Sequence, residues 1–169
     1  SAMHKAVVAI LKKGEDIEDA VGGMDVALCC LDYEKNILEF AGAGRSLTIW
    51  RDGVEMVYAG NKFPVGLVLN SDGTYSNEYV SENSARGVIK SEKIDVRKGD
   101  SIYLFTDGFC DQFGGDSGEK FRRERLSDLL ATIYAEDMSK QETILESTMA
   151  EWQGERTQVD DMLVIGMKI

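Results

Sequence analysis

Two short acidic stretches carry the chemistry this sequence can offer. One is Asp107-Gly108, which follows the apolar run Ile102-Tyr103-Leu104-Phe105, and the other is Asp160-Asp161, which precedes Met162-Leu163-Val164-Ile165. A carboxylate at the mouth of a strand, beside a glycine that lets the backbone turn, is well placed to aim oxygen at a hard cation. Taken alone, Asp107-Gly108 reads first as an ordinary turn dipeptide. The second stretch changes the weighting. If the two strands are neighbours in one sheet, Asp107 and Asp160 converge within the few ångströms that bridging a divalent ion requires. The chemistry then available is hydrolysis by a metal-activated water, which needs no side-chain nucleophile. His4 is the sole histidine and lies beside the N-terminal residues, so it is read as exposed, and no histidine base or histidine zinc site is on offer.

The elements that must position these carboxylates follow from the patterning. Ile102–Phe105 is apolar on both faces, as in a strand buried between two layers. From Met24 to about Val96 the pattern is one of strands in an antiparallel meander. Val26–Leu31 is a continuous apolar run, Tyr33-Glu34-Lys35-Asn36 is a turn, and Leu47–Arg51 meets Val54–Tyr58 across the hairpin signal Asp52-Gly53. Gly42-Ala43-Gly44 is followed by no helix start, so it reads as close strand packing rather than a phosphate loop. Asn70–Ser91 is polar and is read as an extra hairpin or loop.

Helical spacing appears in three places. His4–Lys13 carries Val7, Val8, Ile10 and Leu11 and stops at Gly14. Phe121, Leu126, Leu129, Leu130 and Ile133 share a second stripe. Ser139-Lys140-Gln141-Glu142 matches a capping box, and the helix it starts buries Ile144, Leu145, Met149 and Trp152 before Gly154. Strands followed by helices make an α+β domain.

Nineteen basic residues against thirty acidic give a net charge of −11, which argues against nucleic acid or an anionic membrane surface as the main partner. The acidic run Glu15–Asp19 lacks the alternating ligands of a calcium loop and reads as a solvated linker. Cys29, Cys30 and Cys110 make no disulfide framework and read as reduced core residues of a cytoplasmic protein. No apolar run is long enough to span a membrane, and no signal peptide is visible.

Five stretches, in order and over nearly the whole chain, resemble the stage II sporulation protein E type of bacterial serine phosphatase, a branch of the metal-dependent type 2C phosphatases. They are Gly23–Asp32, Phe40–Gly44, Phe63–Gly66, Tyr103–Gly115 and Gln158–Gly166. The resemblance implies an antiparallel β-sandwich flanked by helices, here lacking the first strands and most of the first helical layer. Ser1–Met3 read, from the residues themselves, as left over from expression, and the resemblance makes 4–169 a partial phosphatase domain. By the same resemblance Asp107 and Asp160 are the catalytic metal ligands, and Gly108 lines the site. Asp161, at a position often asparagine in relatives, is a supporting residue or cap. Gly42, Gly44, Arg45 and Gly66 are candidates for the pocket wall, with Arg45 standing where relatives commonly have proline. Whether Arg45 reaches a substrate phosphate is open, and an exposed arginine is the default.

The implied cofactor is Mn2+ or Mg2+, as two ions in the complete domain. Relatives carry a further ligand aspartate upstream of the helix with which this chain begins, so this fragment is expected to hold at most one ion weakly and to have little or no activity alone. The implied substrate is a phosphoserine or phosphothreonine regulatory protein, such as an anti-sigma-factor antagonist, with no nucleic acid and membrane contact only through upstream domains. A longer parent can be membrane-anchored. Two rivals remain. A catalytically silent sensory or partner-binding module can share the scaffold. A haloacid-dehalogenase type phosphatase also puts an aspartate after an apolar strand, but it needs a second aspartate two positions on, where this chain has Phe109.

Overall fold

The structure, a computed structural model, describes residues 23–66, 68–69, 75–76 and 89–169. The helix expected over His4–Lys13, the acidic run Glu15–Asp19 and most of the segment Asn70–Ser91 lie outside these residues. The chain divides into two units. One holds the residues up to Ser46 and Ala59–Ile94, and the other holds Leu47–Tyr58 and Asp95–Ile169.

In the first unit, β1 (Gly23–Met24) is followed by β2 (Val26–Asp32) and β3 (Ile37–Ala43), which pair antiparallel from Val26↔Ala43 to Asp32↔Ile37. Their turn is held by the Asp32 carboxylate, which accepts from the backbone N–H of Glu34 (3.1 Å) and Lys35 (3.0 Å). Leu38, Phe40 and Gly42 alternate inward along β3, giving it the period-two pattern of a half-buried strand. The chain then leaves for β4 (Leu47–Arg51) and β5 (Val54–Tyr58) of the second unit. It returns through β6 (Val65–Gly66), β7 (Val68–Leu69), β8 (Tyr75–Ser76) and β9 (Glu92–Asp95). β1 pairs with β6 and β7 with β8, while β2-β3-β9 form a three-stranded sheet.

The cysteine expectation is corrected here. Among the described residues Cys29 and Cys30 are free but exposed, since no second layer covers the middle of β2 and Leu28, Cys29 and Cys30 all face solvent there. A continuous apolar run signals a strand but does not fix how many of its faces are covered.

The second unit is built on a four-stranded antiparallel sheet in the order β13-β10-β4-β5, with β10 spanning Ser101–Phe105 and β13 Val164–Lys168. The meander expectation therefore fails at one point: β4 pairs with β10 and β5, not with β3. Asp52 and Gly53 both take positive φ (51° and 79°), the geometry of a type I′ hairpin whose twist matches the flanking strands. Ile102 and Tyr103 are buried at the centre of the sheet, as the two-faced apolar pattern requires.

After β10 come α1 (Gly108–Asp111), the short strands β11 (Phe113–Gly114) and β12 (Glu119–Lys120), α2 (Arg122–Ile133) and α3 (Met138–Gln153). Leu126 and Leu130 of α2 are fully buried and each contributes about 1.5–3 kcal/mol relative to exposure. Phe121 meets both Phe109 and Trp152 edge to face, with ring centroids 5.4 Å apart in each of the two contacts. The cap of α3 differs from the expected one. Asp137, not Ser139, is the N-cap, and its side chain accepts from the backbone N–H of Lys140 (2.9 Å). Gly154 closes the helix at φ 57°.

One ion pair ties this sheet to the turn before β10. Asp100 is 1 % exposed at its side chain and accepts from Arg51 Nε (2.7 Å), Arg51 Nη2 (2.5 Å) and the Arg97 backbone N–H (2.9 Å). Burial pushes its carboxyl pKa up, but the hydrogen bonds from Arg51 and Arg97 and their charges outweigh this and hold it below the ordinary value. A depressed folded-state pKa gives stability that is whole above about pH 4 and is lost as pH falls through the folded value. Asp100→Asn is expected to cost about 3 kcal/mol at neutral pH, because it leaves the Arg51 guanidinium half-paired. Denaturant titrations of both chains from pH 7 to pH 2 should show the gap between them narrowing only below about pH 4. A gap that stays constant with pH would rule out the carboxylate as its source.

Candidate metal centre

β10 and β13 run antiparallel in the register Ser101↔Lys168 to Phe105↔Val164, so the C-terminal end of one meets the N-terminal end of the other. Beyond this register the pairing continues for one residue in altered form. The Thr106 N–H donates to the Leu163 carbonyl (3.0 Å), while the Leu163 N–H goes to the Thr106 hydroxyl (2.9 Å). That hydroxyl in turn donates to the Asp161 carbonyl (2.7 Å). A side chain thus takes the acceptor place that a ladder ordinarily gives to a main-chain carbonyl, and the backbone can turn at Asp107 into α1.

Gly108 completes the junction. A Cβ built on it would lie 2.4 Å from the Asp161 carbonyl oxygen and 3.2 Å from the Asp160 carbonyl carbon. Only a glycine admits a backbone this close. The sequence expectation that two strand tips distant in the chain come together is met at this level: Asp107-Gly108 and Asp160-Asp161 sit at one end of the β10–β13 pair. Asp107, Asp160 and Asp161 are all exposed there. The Asp107 side chain makes no capping hydrogen bond to α1, although Asp107 occupies its N-cap. One oxygen of Asp160 accepts from the Asp161 N–H (2.7 Å).

The other residues singled out in the sequence belong to the first unit. Gly42 and Gly60 approach each other there, a Cβ on Gly42 lying 2.9 Å from Gly60 Cα and 2.2 Å from the Arg45 carbonyl oxygen. The close-packing reading of Gly42-Ala43-Gly44 therefore holds at Gly42. Gly44 (φ 70°) lies under the Asp25 carboxylate, with a Cβ on it only 2.0 Å from Asp25 Oδ1. Gly66 pairs with Gly23 in the β6–β1 ladder. The default of an exposed Arg45 is corrected: its side chain is 23 % exposed and its Nη2 lies 3.1 Å from Asp25 Oδ2.

Donor chemistry decides which ion suits the strand ends. Exposed carboxylates are hard oxygen donors, and two of them fit a Mn2+ or Mg2+ ion that keeps most of its waters. Among the described residues, no group of three or more His, Cys, Asp or Glu side chains is placed to hold a metal.

Sequence reading missed two residues that shape this junction, Thr106 and Gln112. Thr106 carried the only available signal, a hydroxyl directly before the candidate ligand. Gln112 carried none that spacing or periodicity could reveal, yet it is fully buried and bonded to the chain before Asp160. Cys110 lies beside them, and burial pushes its thiol up to about 11, so it is no nucleophile at neutral pH. Gly108→Ala should destabilise the fold by about 1–3 kcal/mol, since the added methyl must push the Asp160-Asp161 backbone away. Thermal unfolding together with amide exchange at Leu163 checks this, and wild-type behaviour in both would mean the two backbones do not meet as described.

The antiparallel pairing of β10 with both neighbours and the buried Phe109 exclude the dehalogenase-type reading, which needs a parallel sheet and a second aspartate at that position. Comparison with known proteins agrees. The family model described as Stage II sporulation protein E matches residues 3–169. The SiaA-PP2C domain of Pseudomonas aeruginosa is 28% identical, with a TM-score of 0.76 over 98% of this chain and 57% of that one. The phosphatase domain of the cell fate determinant SpoIIE from Bacillus subtilis, in a Mn-presoaked crystal, gives 16% identity and a TM-score of 0.57 over 99% of this chain and 65% of that one. The RsbU and RsbW domains of Rv1364c from Mycobacterium tuberculosis give 14%, 0.59, 99% and 46% in the same terms. A comparison with curated protein sequences finds no match. The chain thus spans less than two thirds of each of these solved structures. With a family model matched almost end to end and the strand pairing that joins its two acidic tips, the chain belongs to the SpoIIE family and has the α+β fold of PP2C-type phosphatase domains.

Proposed function

We propose that this chain is the C-terminal part of a metal-dependent protein serine/threonine phosphatase acting in a bacterial signalling pathway. The observation that carries the reading is the junction of β10 and β13, which sets Asp107 and Asp160 at one end of one sheet. Family membership supports it. Mn2+ or Mg2+ held there supplies Lewis acidity for hydrolysis of a phosphoester. Asp107 and Asp160 hold the ion, Gly108 keeps the Asp160 backbone close, and Thr106 fixes the register through its hydroxyl. The substrate is a phosphoserine or phosphothreonine on a regulatory protein.

Two carboxylates make an incomplete site, so the isolated chain should take up one ion weakly and turn over little or no substrate. The same shortage of ligands among the described residues also suits a catalytically silent binding module on this scaffold. Manganese titration tests the metal assignment. By calorimetry the 169-residue chain is expected to bind Mn2+ weakly at one site, and Asp107→Asn or Asp160→Asn to weaken uptake by about tenfold or more. Unchanged uptake in both variants would remove the metal assignment. Rapid hydrolysis of a chromogenic phosphate ester by the chain alone would refute the incomplete site.

A further inference from the structure

Gln112 sits at the C-terminal end of α1 with no surface exposed to solvent. Its carboxamide is engaged at both ends. Nε2 donates to the carbonyls of Thr157 and Phe113 (both 3.1 Å), and Oε1 accepts from the Val159 N–H (3.2 Å). Its main chain is engaged as well: the carbonyl accepts from the Phe121 N–H (2.9 Å) and Trp152 Nε1 (3.1 Å), and the N–H donates to the Gly108 carbonyl (3.1 Å). One residue therefore links the turn that follows Asp107 to the segment that precedes Asp160.

Before Asp160 that segment lies in solvent. Residues 155–161 are all exposed. Between Thr157 and Leu163 the hydrogen-bonded backbone N–H groups are those of Val159, Asp161 and Leu163, and each donates to a side chain: Gln112, Asp160 and Thr106 respectively. The bond to Asp160 is internal to the segment. Side-chain anchorage from outside comes from Thr106 after Asp160 and Gln112 before it; after Asp160 the Thr106 N–H also donates to the Leu163 carbonyl and Met162 packs on the core, whereas before it Gln112 is the outside side chain that bonds the backbone. A carboxamide suits this place because it gives and accepts at once, so it can grip a carbonyl and an N–H two residues apart without a buried charge.

We propose that Gln112 is the positioning residue for Asp160, holding the 157–159 segment so that the Asp160 carboxylate is set opposite Asp107 for the ion. This rests on the metal reading above. Side chains that orient metal ligands through hydrogen bonds typically change metal affinity about 10–100-fold when removed. A residue that merely fills the core would leave affinity unchanged in any variant that stays folded.

The test is Mn2+ titration of the 169-residue chain by calorimetry, with amide exchange measured on the same samples. Gln112→Met keeps the volume and removes the carboxamide. It is expected to bind Mn2+ at least about tenfold more weakly and to exchange Val159 faster, with β10 and β13 amides protected as in the wild type. Should that variant not fold, the exposed partner gives a second route. Val159→Pro removes the N–H that Gln112 accepts from and should weaken Mn2+ to a similar degree, while Val159→Ala, which keeps that N–H, should match the wild type. Wild-type affinity in Gln112→Met or in Val159→Pro overturns the positioning role. If Asp160→Asn also binds as the wild type does, or the wild type binds no Mn2+, the metal reading itself has failed and the role goes with it. Impaired Asp160→Asn beside an unimpaired Gln112→Met removes the role alone.

Discussion

The site depends on one steric allowance: a hydrogen atom, not a methyl, on Gly108 where it meets the Asp160-Asp161 backbone. A ladder can hold two strands side by side, but it also prescribes their separation and ends where the strands diverge. Here divergence is delayed and then used. The Thr106 hydroxyl takes the Leu163 N–H, so the main chain is released one residue before the turn while the partner strand stays attached. Asp107 then begins a helical turn, and Phe109 pins that turn by packing on Phe121. Each of these steps fails if the Gly108 backbone cannot come in close.

The sequence discloses this arrangement unevenly. β10 is legible because burial leaves Ile102–Phe105 as a run with no charged residue, and the β4–β5 hairpin because Asp52-Gly53 takes positive φ at both positions. The α2 stripe is legible because four of its five apolar positions are buried on one face and the fifth, Leu129, packs against them. These are local constraints, written into local residues. Pairing between distant strands is not, which is why β4 could be assigned to a meander when its second partner is β10, fifty residues on. The Cys29-Cys30 run misled for a related reason: apolar character specifies a strand, whereas exposure depends on which neighbours the rest of the chain supplies.

The helix cap and the missed glutamines share a cause. Ser139 to Glu142 matches a capping box by type and spacing, but the chain uses Asp137, whose carboxylate needs no reciprocal partner to satisfy an N–H. Gln141, inside the supposed box, is instead buried. It accepts from the Tyr103 hydroxyl (2.6 Å) and donates to the carbonyls of Tyr134 (3.2 Å) and Glu136 (2.9 Å). Gln112 behaves the same way. Glutamine is usually a surface residue, so its composition and spacing carry no warning that a particular one is buried. Burial is made possible by partners that spacing does not announce: the Tyr103 hydroxyl and the Tyr134 and Glu136 carbonyls for Gln141, and the Thr157 carbonyl and Val159 N–H for Gln112.

Placing acidic groups at strand ends also answers an electrostatic problem. Asp107, Asp111, Asp160 and Asp161 gather negative charge in a chain that already carries −11. Within the sheet, unpaired carboxylates would each lose hydration that no neighbour replaces, and the one buried aspartate of this unit, Asp100, is accordingly held by Arg51 and the Arg97 N–H. At the exposed ends, water screens their mutual repulsion to about 1 kcal/mol for a close pair, small enough for the fold to carry without a cation. Lys120 meets Asp111 at 3.0 Å, while Asp160 turns one oxygen to the Asp161 N–H. The strands supply the rigidity and the ends supply the exposure. A hydrated divalent ion needs both, since its ligands must be fixed in place while its remaining waters stay in solvent.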